Sequence, residues 1–191
     1  MRYADTRKDE TRRLLLERGA AVLKESGFAA TGVDQLMKSV GLTGGALYAH
    51  FPSKTALLVA IVEVEMARSL ALLTGDEHEP AAAALERCLN TYLTLEHVRQ
   101  PARGCILPAL AAELARAPAE VKQVLDAARQ TFLTFWSRKL GERDAAEFLL
   151  DQCVGAILMA RLTDDEGQQQ AIITASHRYL RAALLPLTKT H

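Results

Sequence analysis

The sequence predicts an all-α protein of about nine helices, and three observations lead to that prediction. Apolar residues recur at helical spacing, and no stretch alternates apolar and polar residues as a half-buried strand does. Glycine and proline stand between the periodic segments, where helices end and begin. At 191 residues, of which 49% are hydrophobic, the chain is long enough to bury a sizeable core.

The predicted helices follow from these signals in chain order. A polar arm of residues 1–8 precedes the first helix, and Gly27 is its expected stop. Pro108 is expected to make the start of its helix irregular, whereas Pro118 stands where a helix commonly begins. Outside the stretch described next, the predicted helices are 10–26, 53–74, 81–97, 105–117, 119–140, 144–162 and 168–185.

Two short helices joined by a tight turn are predicted for residues 33–54, which read VDQLMKSVGLTGGALYAHFPSK. Apolar residues at i, i+3, i+4 and i+7 mark the first helix, and a glycine follows it. Thr43 is the expected N-cap of the second helix, in which Leu47 and Phe51 face back towards the first. Small residues and Tyr48 remain on the outer face, slim enough to approach base edges in a major groove. This pattern is typical of a helix-turn-helix.

The segment TGGALYAHFPSKTAL, Thr43 to Leu57, resembles the recognition helix of the TetR family of bacterial transcriptional repressors, whose usual pattern is close to TKGALYHHFPSKEAL. The resemblance covers roughly residues 6–60, and beyond them it rests on length and helical layout. It implies a three-helix DNA-binding head and a helical body. The expected domains are a helix-turn-helix domain at 1–55 and an effector-binding and dimerisation domain at 56–191.

The resemblance assigns phosphate contacts to Tyr48 and Lys54. The chain departs from the family pattern at Gly44 and Ala49, where lysine and histidine are frequent, so two polar contacts are missing. Because no Arg, Asn or Gln remains on the outer face, direct base readout is expected to be thin, with DNA shape contributing more. The expected DNA-binding residues are Thr43, Gly44, Gly45, Ala46, Tyr48, His50, Lys54 and Arg12, with Gln35 and Lys38 as further candidates.

The body is expected to supply two further functions by analogy with the family. The helices between about residues 56 and 165 would enclose a mainly apolar effector cavity, and the last two helices would form a four-helix bundle with a second copy of the chain. A homodimer of this kind reads a near-palindromic operator on double-stranded DNA. The expected ligand-binding residues, each of which is also a plain core candidate, are Met66, Tyr92, Cys105, Leu110, Phe132 and Trp136.

Cys105 raises an alternative, because it stands at a predicted helix start, where the reactive thiolate is favoured. Some repressors of the family respond to oxidants or electrophiles through a cysteine near this region, so a redox-sensing or electrophile-sensing repressor is the first alternative. A small buried apolar residue is the other interpretation of Cys105. A helical protein that binds small molecules without binding DNA is the second alternative function.

Composition and motifs bound the remaining possibilities. Residues 1–55 carry nine Lys and Arg against six Asp and Glu, whereas residues 56–191 carry fourteen against seventeen, as suits a basic head that meets DNA. No apolar run is long enough for a membrane span, and the charged N-terminal segment does not resemble a signal peptide, so we expect a cytoplasmic protein. The chain has no GxSxG, P-loop or HExxH motif and no zinc-like spacing, so neither an enzyme nor a cofactor or metal site is expected.

Overall fold

The computed structural model describes the backbone of residues 2–189 and the side chains of residues 8–189. Within these residues the predicted all-α fold of about nine helices is confirmed, because they form nine α-helices and no strand. Three short 3-10 helices are Gly44–Ala49, Pro101–Arg103 and Leu185–Lys189. The α-helices are α1 (Arg2–Ser26), α2 (Val33–Ser39), α3 (Lys54–Thr74), α4 (Ala81–Tyr92), α5 (Leu95–Arg99), α6 (Ile106–Leu114), α7 (Ala119–Leu140), α8 (Arg143–Ala160) and α9 (Glu166–Leu184).

The chain divides into two compact units. Unit 1 comprises residues up to 66 together with 101–125, and unit 2 comprises 67–100 together with residues from 126 onwards. This division reflects which residues pack together, and unit 1 contains residues of both expected domains. The expected boundary after residue 55 is a division by function, and it stays a prediction.

Unit 1 is organised around α1, which packs against α2, α6 and the 3-10 helix before α6. Leu15 and Leu23 of α1 are fully buried, as apolar residues at helical spacing require. A buried ion pair also joins α1 to α3, since Lys24 Nζ lies 2.6 Å from Glu65 Oε2 and 3.0 Å from the carbonyl oxygen of Gly104. One buried ammonium therefore holds three segments of unit 1 together.

In unit 2, the guanidinium of Arg87 binds the carbonyl groups at the end of α3. Arg87 of α4 donates to the carbonyl oxygens of Leu72 and Thr74, at 2.6 and 3.1 Å, and pairs with the carboxylate of Glu79. These carbonyls belong to the last turn of α3, which lacks intrahelical donors. Gly75 follows with a φ of +68°, and a Cβ there would lie 2.0 Å from Arg87 Nη2. Glycine is therefore needed where the guanidinium approaches the backbone.

Three helix bounds differ from the sequence predictions for identifiable reasons. Helix α1 begins at Arg2 instead of following a polar arm, because no glycine or proline interrupts residues 2–10, and residue 1 lies outside the described residues. The helix predicted to reach residue 97 ends at Tyr92, and Thr94 begins α5 by accepting a hydrogen bond from His97 N. Helix α6 starts at Ile106, so Pro108 lies in its first turn, where no hydrogen bond is lost. Among the described residues, none of the helices combines the length and the apolar composition that a membrane span requires.

Candidate nucleic-acid interface

Helix α2 and the 3-10 helix Gly44–Ala49 are joined by a turn that backbone hydrogen bonds define. Gly41 adopts a φ of +74°, the left-handed conformation that ends a helix, and Leu42 N donates to Met37 O over 2.9 Å. From α1, Arg18 donates to the carbonyl oxygen of Ser39 at 3.1 Å, which satisfies the end of α2. The predicted order of helix, glycine turn and helix is therefore present in unit 1.

The second of these helices is shorter and tighter than the sequence predicts. Its six residues form a 3-10 helix in which Ala46 N donates to Thr43 O at 2.9 Å. Two consecutive glycines disfavour an α-helix by about 1 kcal/mol each, and Pro52 prevents its continuation. Thr43 occupies the expected N-cap position with an extended backbone, but its side chain accepts no capping hydrogen bond.

The two faces of the 3-10 helix differ as expected from the sequence. Leu47 is 0% exposed and Phe51 is 2% exposed, so both anchor the segment in the core of unit 1. Tyr48 is 64% exposed, so its phenol is open to solvent. Thr43, Gly45 and Ala49 are also exposed, whereas Ala46 is half-buried. The segment therefore presents a slim surface from which one phenol projects.

Asp34 belongs to this surface, and sequence reasoning missed it. A Cβ at Gly44 would lie 2.0 Å from Asp34 Oδ1 and 3.2 Å from its Cγ, so the carboxylate occupies the space that a side chain at Gly44 would fill. At Gly45 the same test finds no atom within 4 Å, so the neighbouring position opens outwards. The available signal was the double glycine itself, which leaves room for a side chain of the facing helix.

Lys54 is positioned by contacts within unit 1. Its ammonium donates to the carbonyl oxygens of Phe28 and Thr31, at 3.1 and 2.8 Å, and lies 4.4 Å from the centre of the Phe28 ring. It therefore joins the start of α3 to the loop after α1. A phosphate at this position would share the ammonium with two carbonyl groups.

Arg12 likewise has partners within unit 1. Its guanidinium donates to the carbonyl oxygen of His50 at 3.0 Å and stacks 4.2 Å from the centre of the Phe51 ring. Arg12 thus connects α1 to the end of the 3-10 helix. His50 is half-buried, and its Nδ1 has no hydrogen-bond partner among the described residues.

The six predicted ligand-binding residues are all buried, and they fall into both units. Met66, Cys105 and Leu110 belong to unit 1, whereas Tyr92, Phe132 and Trp136 belong to unit 2. The Trp136 ring is 0% exposed and lies 6.1 Å from Phe132, centre to centre. Within the described residues its indole Nε1 has no hydrogen-bond partner.

The three cysteines are buried, and two of them are chemically protected by that burial. Desolvation raises the pKa of the Cys88 thiol to about 12. It also raises the pKa of Cys153 well above its ordinary value. Cys105 is at the N-cap of α6, as expected, and is 8% exposed.

Comparison with known proteins gives a family match over the segment that contains α2 and Gly44–Ala49. Residues 15–61 match the family described as bacterial regulatory proteins, tetR family. The transcriptional regulator UidR of Escherichia coli K12 is 35% identical over 66 residues, which cover 35% of this chain and 34% of UidR. The match thus spans about a third of the length of the curated relatives.

Solved structures match along nearly the whole chain and show the fold. Reduced E. coli NemR has a TM-score of 0.73 at 23% identity, covering 91% of this chain and 96% of NemR. The complex of AibR with isovaleryl coenzyme A and operator DNA has a TM-score of 0.68 at 18% identity, covering 89% and 97% of the two chains. The arrangement of helices is therefore shared beyond the segment in which the sequences resemble one another.

Proposed function

The chain belongs to the TetR family of bacterial regulatory proteins, and from this premise we propose that it is a transcriptional repressor released from DNA by a small-molecule effector. It acts as a homodimer on a near-palindromic operator in the cytoplasm. The observation that carries the proposal is the outer surface of Gly44–Ala49, held by the buried Leu47 and presenting the exposed Tyr48.

In this proposal the surface enters the major groove of double-stranded DNA. The Tyr48 hydroxyl donates a hydrogen bond to a phosphate oxygen of the DNA. Its ring is rigid and exposed, and the small residues beside it allow the DNA backbone to approach. Thr43 is exposed at the start of the same segment and supplies a second hydroxyl. Lys54 and Arg12 hold the segment in place through their carbonyl and ring contacts, and their charges add to the attraction of phosphates.

An exposed apolar stripe in unit 2 supports the homodimer. Phe148 and Met159 of α8 and Leu162 just beyond its end are 41%, 55% and 71% exposed, and their spacing puts them on one side of the helix, with the exposed polar residues Asp151 and Gln152 between the first two. Gly155 lies between them in the sequence, with nothing within 4 Å of a Cβ placed on it. A second copy of the chain covers this stripe by an isologous contact, which removes the apolar side chains from water.

In this proposal the effector binds in unit 2 against the buried apolar rings of Trp136 and Phe132. The indole N–H of Trp136, which has no partner among the described residues, donates a hydrogen bond to the effector. That AibR was solved with both a coenzyme A thioester and operator DNA supports an effector-responsive function for this fold. The effector releases the operator by binding better to a conformation that fits DNA poorly, since only differential affinity shifts such an equilibrium.

Selection from a pool of random duplexes tests the DNA-binding function. Purified protein is expected to enrich an inverted repeat whose half-sites are about one helical turn of DNA apart, or a multiple of it. Enrichment of no sequence, with the protein folded by circular dichroism, would overturn the proposal in favour of a helical small-molecule binder.

Trp136, the single tryptophan, provides the test of the effector site. An effector found by screening for release of the selected duplex is expected to change the fluorescence of the protein on binding. A compound that releases DNA without altering the indole emission would place the site elsewhere.

Release by thiol chemistry is the alternative, and the position of Cys105 at the start of α6 is the observation that favours it. Cys105→Ser separates the two mechanisms, because only release by oxidants or electrophiles requires the thiol. If oxidants or electrophiles release the wild-type protein but not this variant, the thiol mechanism replaces the proposed one.

A further inference from the structure

We propose that Asp34 reads a cytosine in the operator by accepting a hydrogen bond from its N4 amino group in the major groove. The inference rests on the proposed DNA-binding function and adds a base contact to a surface whose direct readout the sequence predicts to be thin. The carboxylate of Asp34 lies beside Gly44, at the start of the 3-10 helix.

The position of Asp34 depends on the glycine beneath it. Its Oδ1 would lie 2.0 Å from a Cβ at Gly44, far inside van der Waals contact, so any other residue there would displace the carboxylate. Asp34 is in the first turn of α2 and is exposed. The absence of a side chain at Gly44 therefore lets the Asp34 carboxylate lie against the backbone of the 3-10 helix.

The Asp34 carboxylate is not used within the fold. It makes no hydrogen bond or ion pair with any residue whose side chain the structure describes, and the 3-10 helix beside it has no side-chain cap. Lys54, Arg12 and Arg18 of unit 1 all donate to backbone carbonyl oxygens. The Asp34 carboxylate is thus a hydrogen-bond acceptor with free lone pairs on the surface that is proposed to face DNA.

The chemistry of base edges selects cytosine as its partner. A carboxylate only accepts hydrogen bonds, and phosphates and the major-groove edges of guanine and thymine offer it acceptors, which repel it. The remaining donors are cytosine N4 and adenine N6. In an A·T pair the amino group lies between two acceptors, adenine N7 and thymine O4, whereas cytosine N4 has an acceptor on one side only. Cytosine is therefore the base that Asp34 accommodates with least repulsion.

The test repeats the random-duplex selection with wild-type protein, Asp34→Asn and Asp34→Ala, using Glu25→Gln as the control. Glu25 is an exposed carboxylate of the same unit, so its variant corrects for the loss of one negative charge near DNA. We expect an invariant cytosine in each wild-type half-site, no preference there for Asp34→Ala, and a shift to adenine for Asp34→Asn, because asparagine pairs with adenine N6 and N7. Glu25→Gln should return the wild-type sequence.

Binding measurements on the selected duplex make the test quantitative. Replacing the cytosine pair by a thymine pair should weaken wild-type binding roughly 5- to 150-fold, and should leave the affinity of Asp34→Ala unchanged. Gly44→Ala, which displaces the carboxylate without removing it, should lose the same preference while melting at the wild-type temperature. Gly44→Ala therefore shows whether the position of the Asp34 carboxylate matters as well as its presence.

Two outcomes distinguish a failure of the Asp34 contact from a failure of the proposed repressor function. If wild-type protein enriches an operator and Asp34→Ala enriches the identical operator with the same base preferences, the readout by Asp34 is wrong and the repressor function stands. If wild-type protein enriches no sequence, the repressor function is overturned and the base contact with it.

Discussion

Tyr48 is the residue whose chemistry most directly reports a phosphate contact. Removing its hydroxyl in Tyr48→Phe keeps the ring and should weaken operator binding roughly 10- to 150-fold, the cost of a hydrogen bond to a charged group. The loss should be uniform across operator variants, because phosphates carry no sequence information. Fluorescence anisotropy with a labelled duplex measures both effects.

The matched control for this variant is Tyr179→Phe on α9. Tyr179 is 65% exposed, nearly as much as Tyr48, but it lies in unit 2. It should bind the operator as the wild type does. Equal affinities for Tyr48→Phe and the wild type would exclude the phenol from the DNA contact.

Cysteine reactivity gives a second prediction for single residues. Because burial raises the pKa of Cys88 to about 12, its thiol stays protonated and unreactive at neutral pH. The pKa of Cys153 is raised by the same cause. Iodoacetamide at pH 8 should leave both unlabelled in the native protein and label both after denaturation, as measured by peptide mass spectrometry. Native labelling of either would contradict the burial described.

Sequence reasoning distinguished the buried from the exposed side of Gly44–Ala49, but it did not predict the contacts of the residues around this segment. Leu47 and Phe51 were predicted to face inwards from their spacing alone, and they do. The carbonyl partners of Lys54 and the carboxylate over Gly44 depend on segments brought together by folding. Periodicity along one helix contains no information about such contacts.

At the scale of elements, the buried ion pair between α1 and α3 makes a sharp prediction. Lys24→Met leaves the Glu65 carboxylate buried without its ammonium partner, which should lower the free energy of unfolding by about 3–5 kcal/mol. Urea unfolding followed by circular dichroism measures the loss.

The double variant Lys24→Met with Glu65→Leu is the control for this prediction. It removes both charges, so most of the lost stability should return. A single variant as stable as the wild type would mean that the pair is hydrated in solution and does not join the two helices.

Long helices were predictable from the sequence, whereas short ones were less so. Helix α7 has the bounds expected from its flanking proline and glycine, Ala119–Leu140. The 3-10 form of Gly44–Ala49 and the break before Thr94 were missed, because a few local hydrogen bonds decide such segments. Two glycines or one threonine hydroxyl shift that balance without altering the apolar pattern.

At the scale of the whole molecule, the exposed stripe of unit 2 predicts the oligomeric state. Met159→Glu places a charge in the stripe and should convert the homodimer to a monomer in sedimentation, with weaker binding to the inverted repeat. Leu72→Glu is the matched control, since Leu72 is 53% exposed in the same unit but lies on α3. It should remain dimeric. If the wild-type protein sediments as a monomer, the stripe is not a dimer interface.

The division of the chain into units was the feature least accessible from the sequence. Residues 101–125 were assigned to the body by chain order, yet they pack in unit 1, where Glu113 accepts a hydrogen bond from Ala29 N at 2.6 Å. A contact between residues so distant in sequence leaves no local pattern. The functional boundary after residue 55 remains a proposal that the variants above test.

The measurement that most directly tests the account is the affinity of the wild-type protein for its selected duplex as a function of salt. Six to ten phosphate contacts across a homodimer predict a linear fall of log affinity with log salt, by roughly 10³- to 10⁵-fold between about 50 and 200 mM. An affinity that stays constant over this range would show that phosphates do not hold the protein on DNA, and would contradict the proposed nucleic-acid interface.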